Sequence, residues 1–256
     1  MANAYMVGAT LDIGTERERQ EDYFRFAELD DDNLFCVLAD GSGSREENPR
    51  PAAIAVEHVV SGISKVFEEK RDLFLESPEY FLRLYMLSAN DVLGAFKFAN
   101  EELYSGYAAS MTCALFSDTS DGTRIYITHS GNTRLSLIRN GQLKDLTTDH
   151  THAMDLVAEG KIDMETYYTH PGILQLTSGI GVMTNPKIQT VKGRLKENDI
   201  CLMTTDGIHY AIRPEAMAEI VLASNSCENA SANLVAAAKD LKYPDNATAV
   251  VISRAL

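Results

Sequence analysis

The sequence has no long apolar run and no excess of positive charge. No stretch approaches the roughly 18 uncharged apolar residues that a membrane-spanning helix needs, so we expect no association with a membrane. The chain carries 23 Lys and Arg against 37 Asp and Glu, and its formal net charge is −14. This balance makes a nucleic-acid partner unexpected, because binding to phosphate backbones relies on positive charge. The first residues lack the basic and apolar regions of a signal peptide, so we expect none.

Cysteine is scarce, and its spacing argues against a zinc site or a disulfide framework. The four cysteines lie far apart, without a C-x-x-C pair. Cys36, Cys113 and Cys201 each sit in an apolar run that is typical of a strand. We therefore expect small buried thiols in a reducing compartment and place the protein in the cytoplasm.

The order of predicted elements indicates an α+β protein. With 256 residues and no linker, internal repeat or low-complexity tract, residues 1–256 predict a single domain. Ser77 is the expected N-cap of a helix that begins at Pro78, and Asn140-Gly141 predicts a tight hairpin turn. Strands are expected near 5–13, 23–28, 33–39, 108–117, 124–130, 133–139, 186–192, 198–205 and 247–253. Helices are expected near 51–70, from 78 onward, in irregular pieces over 151–172, and near 214–223 and 228–241. Groups of strands alternating with pairs of helices suggest packed α+β layers.

Three apolar runs that are far apart in the chain each carry an aspartate at one end. Asp40 and Asp206 follow strand-like runs and precede a glycine, whereas Asp245 stands at the start of the last strand. Carboxylates gathered in one place repel one another unless a cation lies among them. Mg²⁺ and Mn²⁺ prefer oxygen ligands of this kind. For one Asp-Gly pair alone, an ordinary turn would be the simpler interpretation.

A fourth stretch, residues 17–22, adds two acids and an arginine. Glu21 and Asp22 offer further carboxylates, and Arg17 has the guanidinium that suits a phosphate. The alternative interpretation of these residues is a pair of exposed loop acids and a surface arginine, and it is the weaker one.

These motifs, in this order, resemble the PP2C-type metal-dependent serine/threonine protein phosphatases in their compact bacterial form. The family patterns R-x-x-N-E-D, D-G-x-G-G, G-D-S-R, L-T-x-D-H, T-D-G-L and D-N-x-T match residues 17–22, 40–44, 131–134, 146–150, 205–208 and 245–248. The resemblance runs from about residue 8 to the C-terminus. It implies a four-layer α-β-β-α sandwich, with two antiparallel sheets flanked by helix pairs and the acidic strand ends at one edge.

The resemblance also implies roles for the acidic residues. Two Mn²⁺ or Mg²⁺ ions per active site would be bound directly by Asp40, the carbonyl of Gly41, Asp206 and Asp245. Glu21 and Asp22 would act through metal-bound waters, and Arg17 would bind the phosphate. The implied activity is hydrolysis of phosphoserine and phosphothreonine in proteins by a metal-activated water. The expected partners are a phosphorylated protein substrate, contacted by residues 151–172, and a cognate serine/threonine kinase.

Three positions depart from the family patterns. Asn132 replaces the aspartate of G-D-S-R, which helps to hold a third, weakly bound cation, so a third-metal site is doubtful here. Gln20 and Ser44 replace an asparagine and a glycine. These departures keep open a weakly active or inactive pseudophosphatase that binds phosphoproteins as a signalling module. A phosphatase for a small phosphorylated metabolite is a further alternative.

Overall fold

The computed structural model describes residues 5–45 and 48–254 and contains two five-stranded sheets. The strands are β1 (Tyr5–Asp12), β2 (Tyr23–Asp30), β3 (Asn33–Ser42), β4 (Ala108–Thr119), β5 (Gly122–Ser130), β6 (Arg134–Arg139), β7 (Gln142–Asp145), β8 (Gln189–Arg194), β9 (Ile200–Thr204) and β10 (Ala247–Arg254). The helices are α1 (Pro51–Glu76), α2 (Pro78–Ala99), α3 (His152–Ala158), α4 (Met164–Tyr167), α5 (Asp206–His209), α6 (Pro214–Ala223) and α7 (Cys227–Asp240), with a 3-10 turn over Pro171–Leu174.

All strand pairs are antiparallel. One sheet has the order β1-β10-β9-β6-β7, and the other has the order β2-β3-β4-β5-β8. Neighbours such as β1 and β10 come from opposite ends of the chain, so the register Asp12↔Ala247 brings the first and last motifs together. This pairing places the loop after β1 beside the start of β10.

The two sheets face each other, and a helix pair covers each outer face. On β3, Phe35, Val37 and Ala39 pack into the cluster formed with α1 and α2, whereas the alternating residues Leu34, Cys36 and Leu38 pack against the other sheet. A strand buried on both faces reads as one continuous apolar run, as β3 does. Helices α6 and α7 form the third cluster with β9 and β10. The predicted α+β class and four-layer α-β-β-α order are confirmed.

A few local predictions need correction. Ser77 makes no side-chain cap, although Pro78 does begin α2. The strand expected from 186 begins at Gln189. Strand β7 was not predicted because Gln142–Asp145 is a short, polar edge strand whose side chains are exposed or half-buried. The turn before it is confirmed, with positive φ at Asn140 and Gly141.

Other predictions concern the chain as a whole. Cys36, Cys113, Cys201 and Cys227 are free and buried, as expected of packed thiols. Within the described residues, no helix combines the length and hydropathy needed to cross a bilayer. The extent of a single domain over residues 1–256 stays a prediction.

Candidate metal centre

One cavity of about 400 Å³ gathers most of the predicted site residues at one edge of the two sheets. Asp40 lies near the end of β3, Asp206 follows β9 and begins α5, and Asp245 lies just before β10. The cavity is lined by Arg17, Glu21, Asp40, Gly41, Ser42, Gly43, Ser44, Ala109, Ser110, Asn132, Leu174, Leu176, Asp206 and Asp245. Four acidic side chains therefore share a small volume with a single arginine.

Asp22 does not line this cavity but lies buried beside it. Its side chain is 1% exposed, and its Oδ2 accepts hydrogen bonds from the hydroxyls of Thr205 at 2.8 Å and Thr248 at 2.6 Å. Burial is the largest effect on its ionisation and raises its pKa to about 7, although the two hydroxyls oppose the shift. Sequence reasoning did not identify Thr205 and Thr248, although both lie in matched motifs.

Asp206 is held in an environment that disfavours its charge. Burial and the nearby Asp245 raise the pKa of Asp206 to about 7. Its Oδ2 accepts a hydrogen bond from Nδ2 of Asn132 at 3.2 Å. The following Gly207 is required by close packing, because a Cβ there would lie 1.9 Å from the carbonyl oxygen of Asn246.

The same effect acts on Asp40 at the end of β3. Burial raises its pKa well above 3.8, and the carboxylates of Asp22, Asp206 and Asp245 raise it further, whereas Arg17 lowers it. Mutual repulsion of this kind is relieved when the carboxylates are neutralised by protons or by cations.

Arg17 makes a two-point ion pair with Asp245. Its Nε donates to Oδ1 and its Nη2 donates to Oδ2, each at 2.6 Å. The Arg17 side chain is 55% exposed and lines the cavity, so it also faces solvent. The predicted phosphate-binding residue and a predicted metal ligand thus contact each other directly.

Asn246 organises the loop that carries Arg17 and Glu21. Its Oδ1 accepts from the backbone NH of Glu21 at 2.7 Å. Its Nδ2 donates to the carbonyl oxygens of Ile13 at 2.7 Å and Arg19 at 2.9 Å. Sequence reasoning assigned no role to Asn246, although its position in the D-N-x-T motif could have drawn attention to it.

The two conservative departures from the family patterns have structural partners. Gln20 donates through Nε2 to the carbonyl of Asp12 at 2.9 Å and accepts from the NH of Asp22 at 3.0 Å. Ser44 donates its hydroxyl to Oε1 of Glu21. Both side chains therefore hold the acidic loop in place.

The donor set fits hard divalent cations. Glu21 Oε2, Asp22 Oδ1 and Asp206 Oδ1 are buried oxygens without a hydrogen-bond partner. A buried carboxylate oxygen without a donor is unfavourable unless something positive contacts it. Among residues 5–45 and 48–254, no three Asp, Glu, His or Cys side chains form a ready-made group for an ion. Backbone carbonyl and water oxygens would therefore have to complete the coordination, and Asp245 would have to share its oxygens with Arg17 or release it.

A buried polar network lies behind the cavity and joins it to the segment at 151–176. Arg134 donates through Nε and Nη2 to the two carboxylate oxygens of Asp149 at 2.9 and 2.8 Å. Tyr167 on α4 donates to the same carboxylate, and so does Tyr210, which directly follows α5, at 3.0 Å. The Arg134 guanidinium holds the pKa of Asp149 well below its usual range despite burial. The network thus connects the helix that begins at Asp206 with the segment beside the cavity.

Comparison with known proteins decides the family. The profile of the Protein phosphatase 2C family matches residues 15–242. The chain belongs to this family.

Bacterial relatives of this protein phosphatase 2C member cover nearly the whole chain. The serine/threonine phosphatase stp of Listeria welshimeri is 24% identical over 96% of this chain and 94% of its own length. The protein phosphatase PhpP of Streptococcus pneumoniae is 26% identical over 96% of each chain. The predicted family and the predicted enzyme class, a protein serine/threonine phosphatase, are confirmed.

Solved structures share the fold. The serine/threonine phosphatase PstP/Ppp of Mycobacterium tuberculosis superposes with a TM-score of 0.82 at 22% identity, covering 97% of this chain and 98% of that one. A structure of the catalytic domain of the phosphatase PstP in complex with two manganese ions superposes with a TM-score of 0.77 at 23% identity and covers 98% of this chain and 99% of that one.

Proposed function

We propose that this protein hydrolyses phosphoserine and phosphothreonine in proteins at the acidic cavity, with two Mn²⁺ or Mg²⁺ ions bound there. The observation that carries the proposal is the meeting of Asp40, Asp206 and Asp245 with Arg17 in one cavity. The residues proposed to hold the cations are Asp40, the carbonyl of Gly41, Asp206 and Asp245, with Glu21 and Asp22 acting through water. Bound cations would supply an activated water near neutral pH and neutralise charge on the phosphoryl group.

The chain's own residues have three tasks in this reaction. Arg17, at the cavity mouth, binds two phosphate oxygens with parallel hydrogen bonds and so orients the phosphoryl group. Asn246 and Ser44 fix the loop that carries Glu21. The buried Asp22, held by two threonine hydroxyls, keeps a carboxylate beneath the cavity floor.

A pseudophosphatase is less well supported than an enzyme. Gln20 and Ser44 keep the acidic loop in place, so neither departure removes a proposed ligand. Asn132 lines the cavity, as Ser44 does, but it bears on a third cation and not on the two principal ones. The proposed partners are a phosphorylated protein and a cognate serine/threonine kinase. A cytoplasmic location is proposed on the basis of the free, buried cysteines.

One set of assays tests the proposal. Purified protein is offered p-nitrophenyl phosphate and a phosphothreonine peptide with Mn²⁺, with Mg²⁺ and with a chelator. We expect hydrolysis of both substrates with metal and none with chelator. Hydrolysis of small phosphate esters but of no phosphopeptide would favour the metabolite phosphatase, and phosphopeptide binding without turnover would favour the pseudophosphatase.

Arg17→Ala is expected to weaken phosphate binding without weakening Mn²⁺ binding. Loss of a charged two-point contact costs about 1.5–3 kcal/mol, which is roughly a tenfold to hundredfold rise in the phosphate inhibition constant. Arg17 occupies both carboxylate oxygens of Asp245, and its removal frees them for the cation. The Mn²⁺ affinity of the variant, measured by calorimetry, should therefore equal or exceed that of wild type. Arg25→Ala is the control, because Arg25 is exposed and pairs with Glu57 away from the cavity. An unchanged inhibition constant for Arg17→Ala would reject its phosphate role.

Asn132→Asp is expected to raise turnover when metal is limiting. The substitution replaces the amide that donates to Asp206 with a second carboxylate beside it. Added negative charge attracts a hard cation but repels Asp206 when no cation is bound. Metal-titrated kinetics should therefore show a gain, and the melting temperature in chelator should fall.

The matched control for this change is Asn132→Ala, which removes the donor and adds no charge. It should give no gain at limiting metal. If turnover of wild type and of Asn132→Asp depends on metal concentration in the same way, residue 132 has only a structural role in the turn.

A further inference from the structure

Two leucines interrupt the polar lining of the acidic cavity. Leu174 and Leu176 line the same cavity as Arg17, Asp206 and Asp245. Leu174 is 65% exposed, while Leu176 is half-buried. We refer to Leu174 and Leu176 as the leucine rim. Single exposed leucines are ordinary on protein surfaces, so the position of the rim and not its exposure makes it informative.

The backbone on both sides of Leu174 is fixed by hydrogen bonds. The NH of Ile173 donates to the carbonyl of His170 at 3.0 Å, and the carbonyl oxygen of Ile173 lies 3.3 Å from the hydroxyl oxygen of Tyr210. The NH of His152 donates to the carbonyl of Gln175 at 2.8 Å. Within this turn Ile173 is buried, whereas the side chain of Leu174 is exposed. The fixed backbone therefore keeps the apolar side chain of Leu174 exposed to solvent beside the cavity.

The adjoining residue is held in the same way. Leu176 forms an isolated bridge with Thr151, and the NH of Thr177 donates to the carbonyl of His150 at 2.8 Å. The hydroxyl of the half-buried Tyr210 donates to Asp149 at 3.0 Å and lies beside the carbonyl of Ile173, so the rim adjoins the same network that supports α5. A rigid apolar contact beside a charged site loses little entropy when a ligand covers it.

We propose that the leucine rim binds an apolar side chain that flanks the phosphorylated residue of a protein substrate. This inference rests on the proposed function and deepens it by naming a substrate class. The leucine rim and Arg17 line the same cavity. A phosphoryl group that contacts Arg17 therefore brings the neighbouring residues of the substrate to the rim. Covering the exposed side chain of Leu174 with another apolar side chain removes both from water, which favours binding.

The test uses capped phosphothreonine pentapeptides that differ at one position. Leucine is placed at one of the four flanking positions in turn, in an otherwise serine background. We expect at least one leucine position to raise kcat/KM about tenfold over the all-serine peptide, the order of discrimination that one apolar contact supplies. Leu174→Ser should abolish this preference, and Leu174→Met, which keeps an apolar side chain, should retain most of it.

Two controls separate the rim from general effects. Leu222→Ser removes a leucine that is 51% exposed on α6 and does not line the cavity, so it should leave the preference intact. The leucine preference is measured within each variant as the ratio of kcat/KM for the leucine peptide to that for the all-serine peptide, so a change in the basal turnover of Leu174→Ser does not affect it.

The outcomes are distinguishable. Hydrolysis of all peptides without any leucine preference, or a preference that survives in Leu174→Ser, overturns this inference and leaves the proposed function standing. Failure of wild type to hydrolyse any phosphopeptide with metal overturns both. A wild-type dimer that Leu174→Ser dissociates, measured by sedimentation, would assign the rim to contact between two copies and overturn the inference.

Discussion

Asp206→Ala is expected to abolish binding of the cation pair and to lower phosphatase turnover by several orders of magnitude. Asp206 contributes one of the buried carboxylates, and its Oδ1 has no hydrogen-bond partner. Cations at such a site supply both the nucleophile and the stabilisation of charge, so their loss removes most of the catalytic effect. Asp245→Ala should behave in the same way. Mn²⁺ titration by calorimetry and turnover measured at saturating metal check both variants.

The control for Asp206→Ala is Asp72→Ala, which removes an exposed acid on α1. It should leave Mn²⁺ affinity and turnover unchanged. Near-wild-type Mn²⁺ binding and turnover in both cavity variants would refute the assignment of the site.

The raised pKa of Asp206 also predicts how the stability of the metal-free protein depends on pH. The pKa of Asp206 is raised from 3.8 to about 7 in the folded protein. Between these values the folded state binds more protons than the unfolded state, so stability falls as pH rises through this window. In chelator, the melting temperature of Asp206→Asn should therefore exceed that of wild type at pH 8. The difference between the two melting temperatures should be smaller at pH 5. A difference that does not depend on pH would contradict the raised pKa.

Asp149→Ala is expected to destabilise the protein by about 3–5 kcal/mol, because it removes the buried two-point partner of a buried guanidinium. Among the described residues, only the partly exposed Asp145, 3.3 Å from Nη1, then remains to pair with Arg134. The side chains of Arg134 and Asp149 are 3% and 1% exposed. Tyr167 and Tyr210 lose their acceptor in the same variant. Chemical denaturation at constant pH measures the change in the free energy of unfolding.

Two variants calibrate this result. Glu57→Ala breaks the exposed pair with Arg25 and should cost about 1 kcal/mol or less. The double variant Arg134→Met with Asp149→Leu removes both buried charges and should recover much of the loss, because the cost arises from a buried guanidinium that has lost its buried partner. A loss in Asp149→Ala no greater than that in Glu57→Ala would mean that the buried pair contributes little.

The sequence predicted much of the fold because burial leaves a local pattern. Strand β3 is covered on both faces, and its continuous apolar run is visible without any knowledge of its neighbours. The edge strand β7 was not predicted because no side chain of Gln142–Asp145 is fully buried, so the segment carries no such pattern. The capping bond of Ser77 was predicted from its residue type alone. Its backbone has a ψ of 61°, outside the extended conformation typical of an N-cap, and no capping bond forms.

For the candidate site, too, the sequence determined some features and left others to the tertiary structure. The sequence by itself determined which carboxylates are available, since Asp40, Asp206 and Asp245 stand at the ends of recognisable apolar runs in matched motifs. Their roles as ligands remain predictions. Motif order also determined the family, because residues 15–242 match it as a whole.

Only the tertiary structure decided how these residues contact one another. Arg17 and Asp245 are 228 positions apart, and Asp22 and Thr248 are 226 apart, yet both pairs form hydrogen bonds. Such contacts arise when β1 pairs with β10 and the two sheets pack together. The periodicity of one segment reports which of its own faces is buried, and it contains no information about the distant side chain that will lie against that face. The rise in the pKa of Asp206, which comes from burial and from Asp245, follows from that packing alone.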